Sequence, residues 1–507
     1  MKRVAFNSLE GKLILTATII ASGMAFLDGT VVNIAIPVIQ DAFGTNIAGI
    51  QWVVNSYALL LAALILISGS LGDRFGRKRI FSYGIGLFVI ASFLCSIAHS
   101  INQLILFRSL QGLAAAMMIP GSLSIITTSF EERVQGKVIG LWSGFAGGVA
   151  SLGPFLGGWL VQTFGWPSIF YINIPLGLIA LFITIRCIPE SRNEDAKTLD
   201  ILGTILLFLG LLGVSYSLIE APVLGFTNAF IEAGFFISLL ALVAFVLQEK
   251  RAKAPLVPFK IFNSPLVIGA NLVTLSLYFA LSAIIFFFIL NLQQLQHYSP
   301  LIAGLGLLPT ILIISFLSGY GGTISDKIGP RIPMIVGPLL VSIGMAYLMF
   351  AGINANYFIS FLPGLVFVAL GMSFVIAPLT KSALSVDPRY SGAASGVNNA
   401  VSRIAALLAI ALLGAVMAFT FSSQLNQRIT QTNLTPKEQS VILAQKDKIG
   451  AVEIPSTFRP EVAKVAQSTV ENAFLAAFRT VIGISAALAF LSSVLSFFLI
   501  RPAKTQK

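Results

Sequence analysis

The 507 residues are 56% hydrophobic and only 10% charged, with a mean hydropathy of +0.90, where an average soluble domain is about 25% charged. Such a composition excludes an ordinary soluble enzyme and places the chain in a bilayer. The formal net charge of +12 is spread as short Lys/Arg runs between apolar segments rather than gathered on one basic domain, so it predicts no nucleic acid partner and acts as a topology signal.

Fourteen apolar stretches reach the roughly 17–25 residues needed to cross a membrane, the first near 13–37 and the last near 476–500. The first exceeds a signal-peptide core of roughly 7–15 residues and is expected to remain as a helix. An even number of spans puts both termini on one side. The short loops opposite the termini carry no Lys or Arg, while the loops sharing their side carry most of them, so a multi-pass cell-membrane protein with both termini cytoplasmic is expected. Cys95 and Cys187 lie within apolar runs and imply no disulfide framework.

Within the first span stands Leu27-Asp28-Gly29-Thr30-Val31-Val32-Asn33. A charge at the bilayer centre costs about 2.5–3.5 kcal/mol on insertion scales and normally faces a wet cavity or a partner. Asp28 is therefore either a carboxylate that exchanges protons or a structural one bonded to nearby backbone. Between the second and third spans comes a basic hairpin, Gly69-Ser70-Leu71-Gly72-Asp73-Arg74-Phe75-Gly76-Arg77-Lys78-Arg79. Gly72 and Gly76 suit a tight turn. Asp73 is placed to meet the positive end of a helix from the other half, and Arg77 to reach Glu131 or Glu132. Its cations also serve as plain membrane-edge anchors.

The fourth span holds Arg108 with Gln111 one turn on. Bringing Arg108 to Asp28 would relieve two buried charges; otherwise Arg108 bonds helix-end carbonyls. In the fifth span Gly153-Pro154-Phe155-Leu156-Gly157-Gly158 combines small residues for close helix approach with a proline that favours a bend. Half a chain length after the first hairpin, Gly322-Thr323-Ile324-Ser325-Asp326-Lys327-Ile328-Gly329-Pro330-Arg331 repeats its frame, the mark of a duplicated protein. The resulting plan has an N-terminal six-helix bundle over 1–190, two additional helices with linkers over 191–264, and a C-terminal six-helix bundle over 265–507. A polar outer loop near 418–475 contains Thr435-Pro436-Lys437-Glu438, a helix-start signal.

Taken together, the Asp28 stretch, Gln51-Trp52-Val53-Val54-Asn55-Ser56-Tyr57, the hairpin, Arg108-Ser109-Leu110-Gln111-Gly112, the Gly153–Gly158 stretch, Phe170 to Gly177 and Ser391 to Asn399 resemble the fourteen-helix drug:proton antiporter family of the major facilitator superfamily. The resemblance covers nearly the whole chain. It implies an all-α polytopic fold of two six-helix bundles plus two central helices. It also implies proton coupling at Asp28 and Arg108, and gating at Gly69, Gly72, Asp73, Gly76, Arg77, Gly153, Pro154, Gly157, Gly158, Asp326, Gly329 and Arg331. Val149 departs from the family's usual glycine in the fifth helix.

The function expected is proton-coupled export of amphiphilic or cationic drugs by alternating access, with a dedicated exporter of one endogenous metabolite or lipid-like molecule as the alternative. Substrate is expected against Trp52, Tyr57, Gln111, Phe286, Asn398 and Asn399. No cofactor beyond the proton gradient is implied, and no metal cluster or nucleophile with a base stands out, so an enzyme is not expected. Membrane lipid, the small molecule and protons are the partners; an outer-membrane export partner is left open.

Overall fold

The structure is a computed structural model that describes residues 4–192, 199–386 and 390–500, without the side chains of Glu132 and Ser391. Of the linker expected over 189–200, residues 193–198 lie outside the described residues. Fourteen described helices are long and apolar enough to cross a membrane. They are α1 (Leu9–Phe43), α2 (Ile47–Phe75), α3 (Arg77–Ser96), α4 (Ile101–Ser129), α5 (Arg133–Phe164), α6 (Ser168–Cys187), α7 (Ile201–Leu224), α8 (Ala229–Arg251), α9 (Pro265–Leu295), α10 (Pro300–Ile328), α11 (Arg331–Leu348), α12 (Leu362–Ala383), α13 (Gly392–Ile429) and α14 (Pro460–Leu499). Helices satisfy every backbone donor internally, which hydrocarbon demands.

Packing divides the chain into two units. One contains residues up to Ala35, Trp52–Val214 and Phe235–Phe259; the other contains Ile36–Gln51, Ser215–Gly234 and the residues from Lys260 onward. In the first, α3 lies along α4 and α6. Ser22 on α1 donates to Ser122 on α4 at 2.8 Å and accepts from the Trp142 indole of α5 at 3.2 Å, so one buried hydroxyl ties three helices. Gly112 of α4 sits where a β-carbon would collide with the Tyr57 carbonyl of α2, and that absence lets the two helices touch.

The second unit is built on α11 against α12 and α14, and on α9 against α13 and α14. Here the contact is backbone to backbone. A β-carbon on Gly337 would lie 2.7 Å from the Gly371 carbonyl, and one on Gly364 would lie 2.8 Å from the Gly344 carbonyl. Without a hydrophobic drive between helices in lipid, such close small-residue packing supplies the attraction. Toward its end α9 loosens into π-helical turns at Ile284–Phe288 and Asn291–Leu295, a local widening often found at functional places.

Two helices outrun their apolar stretches: α13 continues to Ile429 and α14 starts at Pro460, so much of the outer segment near 418–475 is helix extending beyond the span. Between them Pro436–Leu443 forms a short helix opened by a capping box. Glu438 accepts from the Thr435 N–H at 2.7 Å and its own N–H donates to Thr435 Oγ1. That bond holds the Glu438 carboxyl below its usual range.

Candidate functional site

Asp28 is fully buried on α1, and Arg108 of α4 is 1% exposed. The two form an ion pair through Arg108 Nη1 and Asp28 Oδ2. The same Nη1 donates to Gln111 Oε1 at 2.7 Å, and Arg108 Nε donates to the Val53 carbonyl of α2 at 3.1 Å. Gln111 in turn donates through Nε2 to Asp28 Oδ1 at 3.2 Å and to Ser92 Oγ of α3 at 2.8 Å. From α6, Asn173 Nδ2 donates to Asp28 Oδ1 at 3.2 Å. The guanidinium carbon stands 4.4 Å from the centre of the Tyr57 ring and 5.9 Å from that of Phe170.

Five helices thus meet in one cluster around the Asp28–Arg108 pair. Helical spacing explains the α4 contribution: Arg108 and Gln111, three apart, share a face. Burying two ions is tolerable because attraction grows as the dielectric falls and Arg108 Nε and Nη1 both find acceptors. Cation–π contact with Tyr57 and Phe170 supplements this. Asn173 and Phe170 belong to the Phe170–Gly177 stretch, but sequence reasoning gave neither a role; an amide inside an apolar span was the available signal.

Next to this cluster α5 breaks. Its helical runs Glu132–Ser151 and Gly153–Phe164 meet at Leu152, with Pro154 in the first turn of the second run. A β-carbon on Gly153 would collide with Thr30 Oγ1, and one on Gly157 would lie 2.6 Å from Val31 Cγ2 and 3.0 Å from the Val31 carbonyl. Thr30 Oγ1 also donates to the Ala150 carbonyl at 3.1 Å. Gly153 and Gly157 therefore seat the α5 break against Thr30 and Val31, in the turn of α1 that carries Asp28. Pro154 and Gly158 are buried beside them.

The hairpin turns at Gly76, whose φ of +108° favours glycine. Across that turn Arg77, the first residue of α3, pairs with Asp73 near the end of α2, Nη2 to Oδ1 at 2.7 Å and Nε to Oδ1 at 2.9 Å. The expected acceptor Glu131 pairs with Arg133 at 2.6 Å instead, and the Glu132 side chain lies outside the described residues. An unforeseen residue, Glu190, accepts from the backbone N–H groups of Lys78 at 3.1 Å and Arg79 at 3.2 Å. It caps α3, where a carboxylate is favoured. A Glu190→Ala change is expected to raise amide hydrogen exchange at Lys78 and Arg79 about fivefold, the equivalent of a cap of about 1 kcal/mol, as read by exchange mass spectrometry. A β-carbon would fit at Gly72 and nothing approaches Gly69.

In the second hairpin Gly329 turns with φ +84°. Asp326 pairs with Lys381 of α12 at 2.7 Å, and Arg331 donates to the Phe497 carbonyl at 3.0 Å while lying over that ring. Of the expected substrate side chains, Tyr57 and Gln111 lie in the Asp28 cluster, with Tyr57 Oη donating to the Ala25 carbonyl at 2.8 Å. Trp52 is half-buried. Phe286 is buried edge-to-face against Phe287 within the first π-helical turn of α9. Asn398 donates to Asn271 at 3.2 Å and Thr274 at 2.8 Å, both on α9, while exposed Asn399 donates to the Ser395 carbonyl.

Comparison with known proteins adds the following. The profile described as Major Facilitator Superfamily matches residues 18–410. The chain is 32% identical over 84% of its length to the Multidrug resistance protein Stp of Mycobacterium tuberculosis, covering 80% of that protein. It is 31% identical over 97% of its length to the Tetracenomycin C resistance and export protein of Streptomyces glaucescens, covering 92% of it. To the Methylenomycin A resistance protein of Streptomyces coelicolor it is 34% identical over 80%, covering 85%. Among solved structures, a bacterial homologue of the human lysosomal transporter Spinster, inward-facing, overlays 96% of this chain and 98% of its own with a TM-score of 0.65 at 19% identity. That last likeness concerns the fold.

Proposed function

The chain belongs to the major facilitator superfamily, and on that premise we propose that it exports amphiphilic or cationic drugs by alternating access, driven by protons moving the opposite way. The observation that carries this reading is the buried Asp28–Arg108 pair with its two amide partners. The relatives named for drug resistance and export support the substrate class and the direction. With the Lys/Arg bias, both termini lie in the cytoplasm of a cell membrane.

Asp28 is the coupling group. Ionised, it is held by Arg108; protonated, it loses most of that attraction, so uptake of a proton frees Arg108 and α4 from α1. Asn173 suits both states. Its Nδ2 donates to the carboxylate, while its buried Oδ1 has no partner among the described residues, and a turned amide would offer that oxygen to the acid proton. Because Gly153 and Gly157 pack on the turn that bears Asp28, a change of pairing there meets the α5 break directly. Protonation shifts the conformational equilibrium only to the extent that the two states hold the proton differently. Trp52, Tyr57, Gln111, Phe286, Asn398 and Asn399 contact the substrate in this reading.

The test uses the full chain in sealed lipid vesicles holding a lipophilic cation dye, with an imposed proton gradient. Dye movement that follows the gradient, with protons moving the other way and collapse on adding a protonophore, is the expected result. Movement of a single compound from a panel of unrelated cations would assign a dedicated exporter instead. Dye movement indifferent to the gradient would overturn proton coupling.

A further inference from the structure

The two additional helices carry a pair of buried acids. Asp200 precedes α7 and is 8% exposed; Glu249, in the last turns of α8, is 2% exposed. One oxygen of each is already engaged. Asp200 Oδ1 accepts from the Gly203 N–H at 2.8 Å and from Gln248 Nε2 at 3.2 Å, and Glu249 Oε2 accepts from the Val257 N–H at 2.8 Å. The other two oxygens, Asp200 Oδ2 and Glu249 Oε1, are buried and have no donor among the described residues. They aim at the same space. A β-carbon on Gly203 would lie 2.7 Å from the first and 2.9 Å from the second, so the bare glycine is what lets the two carboxyl groups meet.

Two ionised carboxylates facing each other out of water repel, and neither has a hydrogen to offer the other. Among the described residues the charged group facing Glu249 is Asp200, while the neighbouring cations Lys250, Arg251 and Lys253 have exposed side chains. A metal ion is a poor answer: no group of three or more His, Cys, Asp or Glu side chains assembles among the described residues, and the three N–H donors at the outer oxygens disfavour a cation. Those donors suit one negative charge. A single hydrogen between Oδ2 and Oε1 satisfies both orphaned oxygens and leaves that one charge behind.

We propose that Asp200 and Glu249 share one proton, forming a proton-binding site at the paired ends of α7 and α8, separate from Asp28. The pair is singly charged at neutral pH and fastens the two helix ends. Losing the second proton in alkali sets the carboxylates against each other and parts those ends. Farther along, Ser238 of α8 donates to the Gly210 carbonyl of α7 at 2.7 Å, so that part of the helix pair stays joined.

Infrared spectroscopy of the full chain in lipid vesicles tests this without any transport readout. At neutral pH the carbonyl band of protonated carboxylic acids is expected to lose one equivalent per chain in Glu249→Gln and likewise in Asp200→Asn. Each amide supplies the hydrogen that the shared proton supplied, so both variants are expected to fold. In the native chain the same equivalent should vanish on raising the pH. Replacing sodium, potassium, magnesium and calcium by choline should leave it unchanged. A band indifferent to both substitutions would overturn the proposal, and so would a band that grows when the inorganic cations are withdrawn, since a cation would then have occupied the pair.

Discussion

Changing Asp28 to Asn is expected to leave the chain folded and to abolish gradient-driven transport. The amide has the carboxylate's shape and still offers an oxygen to Arg108, but it takes up no proton in this pH range. A one-for-one exchange of a proton for a monovalent cation moves no net charge, so the proton concentration gradient drives it; about 2.5 pH units represent about 3.5 kcal/mol, enough to sustain a concentration ratio on the order of a few hundredfold. In Asp28→Asn the dye ratio across the vesicle should fall to about one, while downhill exchange of dye persists. A variant that still builds the native ratio would place proton coupling at another group.

Removing Arg108 is expected to be the most damaging single change in the first unit. Arg108→Met keeps a long apolar stem yet leaves Asp28, fully buried, with only the Gln111 and Asn173 amides. Breaking a buried pair from one side costs about 3–5 kcal/mol, because a charge stays behind uncompensated. The loss includes the cation–π contact with Tyr57 and the bond to the Val53 carbonyl that fastens α4 to α2. Combining Arg108→Met with Asp28→Asn removes both charges, so the double variant should melt above the Arg108→Met variant, with a coupling energy of about 1–3 kcal/mol. Thermal midpoints of the four proteins in lipid decide it. A double variant that melts below both single ones would mean that the charges do not stabilise one another.

These two experiments divide the labour of the cluster. Asp28→Asn preserves packing and removes the carboxyl group; Arg108→Met preserves the carboxyl group and removes its counter-charge. Transport lost with the melting point kept marks coupling, and transport lost with the melting point marks architecture.

The sequence by itself determined the fourteen spans, because hydropathy over about twenty residues is a local sum that needs no knowledge of neighbours. It determined the turns at Gly76 and Gly329, both at positive φ where glycine is favoured. It also marked Asp28 and Arg108 as charges too costly to leave alone in hydrocarbon. Which groups answer them was decided by tertiary structure. Asn173 and Tyr57 reach the pair from two further helices and Ser92 holds Gln111 from a third, and their arrival depends on the rotation of each helix, to which hydropathy is blind. The seating of Gly157 on Val31 and the meeting of Asp200 with Glu249 are likewise contacts between helices. Arg77 shows the opposite case. Its partner Asp73 stood four residues away in the sequence, across the turn at Gly76, and the short reach prevailed over the longer one because closing a four-residue loop costs less chain ordering than bringing in a distant partner.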